Sequence, residues 1–376
     1  MVFALAGATV FDGETFHDGM AVTIEGRQIR AIAPRSALAS GIKVIELAGG
    51  ILAPGFIDVQ VNGGGGALLN DHPSLEVVRT IADSHRRYGT VGMLPTVITD
   101  APEVTAAAIA AVKAARAAGL AHVLGIHVEG PFLDPARKGA HDLQFIRAIT
   151  SDDISRLATA ECGKLMLTLA PNRVPPDRIR DLVKAGVLVS LGHSDADAKD
   201  VHAALAAGAT SFTHLFNAMS QLTGREPGMV GAALADHDSF LGVIADGLHV
   251  HDTSLRLAFG ATPLERFMLV TDAMPPAAGG PDVFHLQGRE VKRINGKLQL
   301  ADGTLAGSNL TMDEAVRYAV QKLHVPLASA LQMASRNPAR FLGLQDHLGV
   351  IRPGALASLV HVNEDLHVIQ TWVEGQ

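Results

Sequence analysis

Three apolar runs in this chain end on side chains that bind metals or move protons. GIHVEGPFL (Gly125–Leu133) ends its run in Glu129 and is stopped at once by Gly130 and Pro131; LVSLGHSDAD ends in His193, and TSFTHLFNAM ends in His214. A carboxylate at the end of an apolar strand is costly to bury unless a cation, a hydrogen-bond network or solvent reaches it. One carboxylate and two imidazoles are the donor set of a catalytic zinc-type site with an open position, provided that the three strand ends converge. A lone histidine on an apolar face is commonly a hydrogen-bonded core residue, and the recurrence of three such ends is what favours a ligand set. A fourth run, FMLVTDAM, ends in Asp272. A carboxylate there can take a proton from an attacking water and return it to a leaving amine.

These residues need a scaffold that brings strand ends together. From Pro54 onward strand-like and helix-like segments alternate for more than two hundred residues, the pattern of βα units and a parallel sheet. Eight apolar runs read as strands: 55–61, 89–96, 122–129, 164–169, 187–193, 211–215, 240–245 and 267–272. Eight strands predict a (β/α)8 TIM-like barrel, in which functional groups sit at the C-terminal strand ends. There the sequence puts Gln60, Asn62, Glu129, Asn172, His193, His214, His249 and Asp272. A helix is expected from Asp100 as N-cap, with Glu103 completing a capping box and Gly119 at the stop; Ser194 is expected to cap another.

Residues 1–53 and 346–376 are strand-like without helices and are expected to pair into one small β-sandwich flanking a catalytic barrel over 54–345. Within the barrel region, Gln287-Gly288, Asn295-Gly296 and Asp302-Gly303 predict a β-hairpin insertion at about 283–306. Helices over 312–323 and 326–335 follow, with Asn337-Pro338 after the second. Gly63–Gly66 lacks the lysine of a phosphate-binding loop and reads as a flexible wall of the site.

The chain has 376 residues, 48% hydrophobic and 18% charged, with a net charge of −7, which suits a globular α/β protein and gives no basic footprint for nucleic acid. Cys162 is the single cysteine and is read as core. The start lacks the basic and sustained apolar regions of a secretory signal and no segment is long enough to span a membrane, so a cytoplasmic enzyme is expected.

The set HVEGP, LGHSDA, THLFNAM, ADGLHV and VTDAM, with PGFIDVQVNG at the first strand, resembles the N-acetylglucosamine-6-phosphate deacetylases of the amidohydrolase superfamily over nearly the whole chain. The resemblance implies a homodimer of distorted barrels, each with a β-sandwich built from both termini. It implies hydrolysis of the acetamide of N-acetyl-D-glucosamine 6-phosphate by metal-activated water, or of the galactosamine epimer in a related enzyme; a non-catalytic barrel kept for assembly is the reading from another class. It further implies that Glu129, His193 and His214 hold one divalent ion, zinc or else iron, and that Asp272 is general base and then acid. Ala140, His141 and His249 would contact substrate, one histidine polarising the acetyl carbonyl. Asn217, Ala218 and Arg225 would serve the phosphate, Arg225 reaching into the neighbouring subunit's site, and Leu305, Ala306 and Gly307 would form a sugar-contacting loop. Many amidohydrolases carry H-x-H on the first strand, whereas this chain has Gln60 and Asn62, neutral amides that suit substrate contact better than a second metal. His127, two residues before Glu129, is read as a barrel-layer residue and not a third imidazole ligand. Ser358 stands where an aspartate is usual, remote from the site.

Overall fold

The structure, a computed structural model, describes residues 1–376. All eight apolar runs form strands: β1 (Phe56–Val61), β2 (Thr90–Ile98), β3 (Gly125–Glu129), β4 (Lys164–Leu169), β5 (Leu188–Leu191), β6 (Ser211–Phe212), β7 (Phe240–Val243) and β8 (Phe267–Leu269). They pair in parallel in chain order. The first and last are joined just past their ends, where Asp272 N–H donates to Gln60 O (2.9 Å) and Asn62 N–H to Ala273 O (2.9 Å), so the barrel closes at its functional rim. Four strands, β5 to β8, end before their apolar runs do. His193, His214 and Asp272 have φ of 48°, 34° and 50°, in the left-handed region that ends a strand and is costly for a residue with a Cβ.

Two helix starts differ from expectation. The helix after β2 runs Pro102–Ala117 with Ala101, not Asp100, at its N-cap. Proline at the first helical position has no N–H to satisfy and is already at helical φ, so the carboxylate is released. Asp100 instead accepts from Ala101 N–H (2.8 Å) and Asn70 Nδ2 (2.9 Å). The helix after β5 spans Ala198–Ala206 and is capped by Asp197, which accepts from Asp200 N–H (2.9 Å). Ser194 is used elsewhere, donating to Asn172 Oδ1 (2.7 Å). After β8 come helices Met312–Gln321 and Leu327–Ala334, and Asn337-Pro338 lies inside a third, Arg336–Phe341, where proline in the first turn costs no hydrogen bond.

The insertion is a three-stranded antiparallel sheet, Val283–Leu286, Arg289–Ile294 and Lys297–Gln299, with positive φ at Gln287, Gly288, Asn295 and Gly296 as two-residue hairpin turns require. Phe284, Leu286, Val291 and Leu298 pack it onto Ile98, Ala140 and Met274 at the barrel mouth. Gly63–Gly66 does not wall the site as expected. It forms a small hairpin with Ala67–Leu68, tied down by Gly63 N–H to Ala273 O (2.8 Å) and Gly66 N–H to Pro275 O (3.0 Å).

Both termini build the flanking sheets. One comprises Val2–Ala6, Met20–Glu25, Gln28–Pro34 and Lys43–Glu46; the other interleaves Thr9–Phe11, Phe16–His17 and Ile51–Pro54 with Leu359–Val362 and Val368–Trp372. Leu5, Val22, Ile24, Leu52, Leu359 and Trp372 share their common core. Ser358 is buried there and accepts from Glu374 N–H (3.2 Å). No helix is long and apolar enough to cross a membrane.

Candidate active site

β3, β5 and β6, with β4 between the first two, end at the same rim and bring Glu129, His193 and His214 together, with one potential ligand atom from each lying within 4.8 Å of the others. His193 Nδ1–H donates to Arg137 O (2.9 Å), which fixes the tautomer and turns a lone pair on Nε2 toward Glu129 Oε1, 3.3 Å away. His214 Nε2 lies 3.0 Å from the same oxygen and 3.1 Å from His193 Nε2. A lone pair facing a buried carboxylate is repulsive unless a positive charge lies between them, so the donor set fits a divalent cation. Burial alone would raise the Glu129 carboxyl, but the imidazoles of His193 and His214 beside it hold it well below the usual carboxylate range. His214 is raised in turn, its burial outweighed by the hydrogen bond to Glu129.

Asp272, at the end of β8, faces this cluster. Burial and the neighbouring Glu129 charge push its carboxyl up to about 6, against the pull of His214, His249 and Asn62. Its Oδ1 accepts from both first-strand amides, Gln60 Nε2 (3.1 Å) and Asn62 Nδ2 (2.7 Å). Gln60 Nε2 is also 3.2 Å from Glu129 Oε1. Where H-x-H would bind metal, the two amides hold the carboxylates of the site.

A cavity of about 400 Å³ opens over these groups, lined among others by Asn62, Ala140, His141, His249, Leu305 and Gly307. Asn217 and Ala218 line it too, from the turn after β6. His141 rests edge-on against the His193 ring, 4.4 Å between centroids, and burial drives its pKa well below the usual histidine value. Asn62 Oδ1, His141 Nδ1 and His249 Nε2 are buried without a hydrogen-bond partner, the state of polar atoms awaiting a ligand.

Three expected contacts lie off the cavity wall. Gln60 sits beneath it on the carboxylates; Ala306 is turned away, fully buried with its N–H donating to Leu298 O (3.0 Å). Arg225 is exposed in the loop 221–227 and does not reach the site of its own chain. Asn172 also serves the scaffold, donating to Asp134 Oδ2 (2.5 Å), while Asp134 N–H donates to His193 O (3.0 Å) and so pins the loop that carries His141. His127 is held between Thr96 Oγ1 (3.2 Å) and Thr168 Oγ1 (2.7 Å), one layer below the cluster. Its burial lowers its pKa to about 4.

Sequence reasoning missed Asp58, wholly buried between β1 and β8, where Thr271 Oγ1 donates to Oδ2 (2.6 Å) and burial lifts the carboxyl to about 7 against hydrogen bonds from Thr271 and Gln60. It also missed Arg137 and Thr304 on the cavity wall. Asp246 went unnoticed although its i, i+3 spacing from His249 was visible in ADGLHV.

Comparison with known proteins agrees with this geometry. Residues 51–376 match the model of the amidohydrolase family, and residues 2–52 match that of the NagA composite domain. An N-acetylgalactosamine-6-phosphate deacetylase of Shewanella sp. (strain ANA-3) is 45% identical over 88% of this chain and 84% of its own. An N-acetylglucosamine-6-phosphate deacetylase of Haemophilus influenzae is 35% identical over 100% of this chain and 99% of its own. The crystal structure of N-acetylglucosamine-6-phosphate deacetylase from Pasteurella multocida superposes with a TM-score of 0.97 at 34% identity, covering 100% of this chain and 99% of that one. With the barrel, the rim cluster and these matches together, the chain belongs to the amidohydrolase family.

Proposed function

We propose that the site hydrolyses the acetamide of N-acetyl-D-glucosamine 6-phosphate to D-glucosamine 6-phosphate and acetate. The observation that carries this reading is the convergence of Glu129, His193 and His214 with Asp272 beneath one cavity. Relatives named as deacetylases of N-acetylated amino-sugar phosphates support the substrate class. Glu129, His193 and His214 would hold a single divalent ion, zinc or else iron, which when bound polarises the acetyl carbonyl and acidifies the attacking water.

The chain's own groups manage the protons. Asp272 Oδ1 is occupied by Gln60 and Asn62, leaving Oδ2 to take the proton of the attacking water and then deliver it to the departing amine. His141 and His249 each bring an unpaired ring nitrogen to the wall, suited to orienting the acetyl and sugar oxygens. Asn217 and Ala218 flank the phosphate end, and Leu305 and Gly307 line the sugar. Arg225, exposed and outside its own cavity, supplies a guanidinium to a partner's phosphate in a homodimer. In this reading residues 54–345 carry catalysis, 1–53 with 346–376 support it, and the enzyme works in the cytoplasm.

The galactosamine epimer is the second reading, favoured by the 45% identity to the Shewanella enzyme. Acetate and free amine release from both epimers, with and without chelator, tests both. Chelator-sensitive turnover of the glucosamine substrate at the higher kcat/KM is expected; preference for the other epimer selects the second reading, and no turnover of either by metal-replete protein refutes both.

A further inference from the structure

The loop after β7 carries a carboxylate–imidazole pair whose carboxylate has no role in the proposed reaction. Asp246 Oδ2 is 2.6 Å from His249 Nδ1, and both side chains are nearly buried, 9% and 6% exposed. Asp246 Oδ1 accepts from the backbone N–H of Leu248 (2.8 Å) and of His249 (2.9 Å), so one side chain sets both the turn and the ring. The turn is locked from behind. Gly247 has φ of 70°, and a Cβ built there would lie 2.0 Å from Tyr318 Oη, which itself donates to Asp252 Oδ1 (2.7 Å). On the other side of the ring, His249 lines the cavity with Nε2 buried and unpartnered.

We infer that Asp246 is a positioning residue: it holds the proton of His249 on Nδ1 and so presents Nε2 to the cavity as a hydrogen-bond acceptor for a substrate hydroxyl. A buried acceptor of this kind selects for the hydroxyl that fills it, since a ligand lacking one leaves the nitrogen unpaired in a dry site. Asp246→Asn is the informative change. The Asn carbonyl can keep both backbone hydrogen bonds of the turn, while its NH2 then faces Nδ1 as a donor and drives the ring proton to Nε2. The acceptor becomes a donor with the loop preserved.

This inference rests on the proposed reaction only for its kinetic arm. In that arm, Asp246→Asn is expected to lower kcat/KM by roughly 10–100-fold, by analogy with the loss of a carboxylate that orients a metal-bound histidine. In a His249→Ala background the same change should alter kcat/KM less than about 2-fold, because a residue acting through His249 has nothing left to act on. Equal losses in both backgrounds, or no loss in the first, would overturn the inference. The second arm needs no substrate: ring 15N shifts of His249, assigned by difference against His249→Ala, should show the proton on Nδ1 in the wild type and on Nε2 in Asp246→Asn. An Nε2 proton already in the wild type overturns the inference too. If the wild type turns over neither amino-sugar phosphate, the functional reading falls while the 15N measurement still decides the role of Asp246.

Discussion

Replacing Glu129 with glutamine exchanges one oxygen for nitrogen and removes the only carboxylate among the three clustered donors. Losing a partner one shell beyond the metal typically weakens binding 10–100-fold, so losing a charged direct ligand should cost at least about 100-fold, or about 2.7 kcal/mol. At a free metal concentration near 1,000 times the wild-type Kd, the ion stabilises the wild type by about 4.1 kcal/mol and the variant by roughly 1.4. With an unfolding entropy of roughly 0.8 kcal/mol/K for 376 residues, those energies correspond to metal-induced Tm shifts of about 5 °C and about 2 °C. The comparison must be made with and without metal in each protein, because glutamine also disturbs the hydrogen bonds that Oε1 accepts from His214 and Gln60, worth about 1–3 kcal/mol by themselves. Thermal scans paired with metal content after dialysis provide the assay. A variant that retains one ion per chain and the full wild-type shift would remove Glu129 from the ligand set and refute the reasoning.

Three further outcomes are expected. Asp272→Asn should keep its metal and lose about 10²–10⁴-fold in kcat, measured by amine release; a variant within a few-fold of wild type would take Asp272 out of the proton path. Arg225→Ala should raise KM at least about 10-fold with little change in kcat, and mixing it with an inactive Asp272→Asn partner should restore some tight sites only if the arginine crosses between subunits. Asp153 should make stability fall in acid: burial opposes, but Arg147 and Thr150 hold its carboxyl down to about 2. A depressed carboxyl contributes above its unfolded value and loses that contribution as pH falls from about 4 to about 2. Discounted for solvent screening, the difference between wild type and Asp153→Asn is about 1 kcal/mol at neutral pH and vanishes near pH 2, as Tm against pH would record.

The parts of the molecule legible in the sequence are those where one residue type has few alternatives. Buried parallel strands read as apolar runs, and all eight were visible in order; paired glycine turns revealed the insertion at Gln287-Gly288 and Asn295-Gly296. Helix starts were less legible because several residues compete for a cap. Pro102 took the first helical position and so made Ala101, not Asp100, the N-cap, and Asp197 took the cap from Ser194. The left-handed backbone at His193, His214 and Asp272 left no mark at all, since none is glycine and the conformation is enforced by the surrounding barrel. Gln60 could be recognised as a poor metal ligand, yet its hold on both Glu129 and Asp272 needed the closed barrel to be seen.

That closure has a mechanical consequence. The hydrogen bonds that shut the barrel at its rim come from the backbone of Gln60, Asn62, Asp272 and Ala273, the same short segments whose side chains assemble the proposed proton-handling group. Chemistry and seam are therefore one joint. A fluctuation that parts the first strand from the eighth breaks the hold of Gln60 and Asn62 on Asp272, the proposed base, along with the wall. Amide exchange at Asp272 and Asn62 should accordingly track inactivation, with the two lost together as denaturant rises.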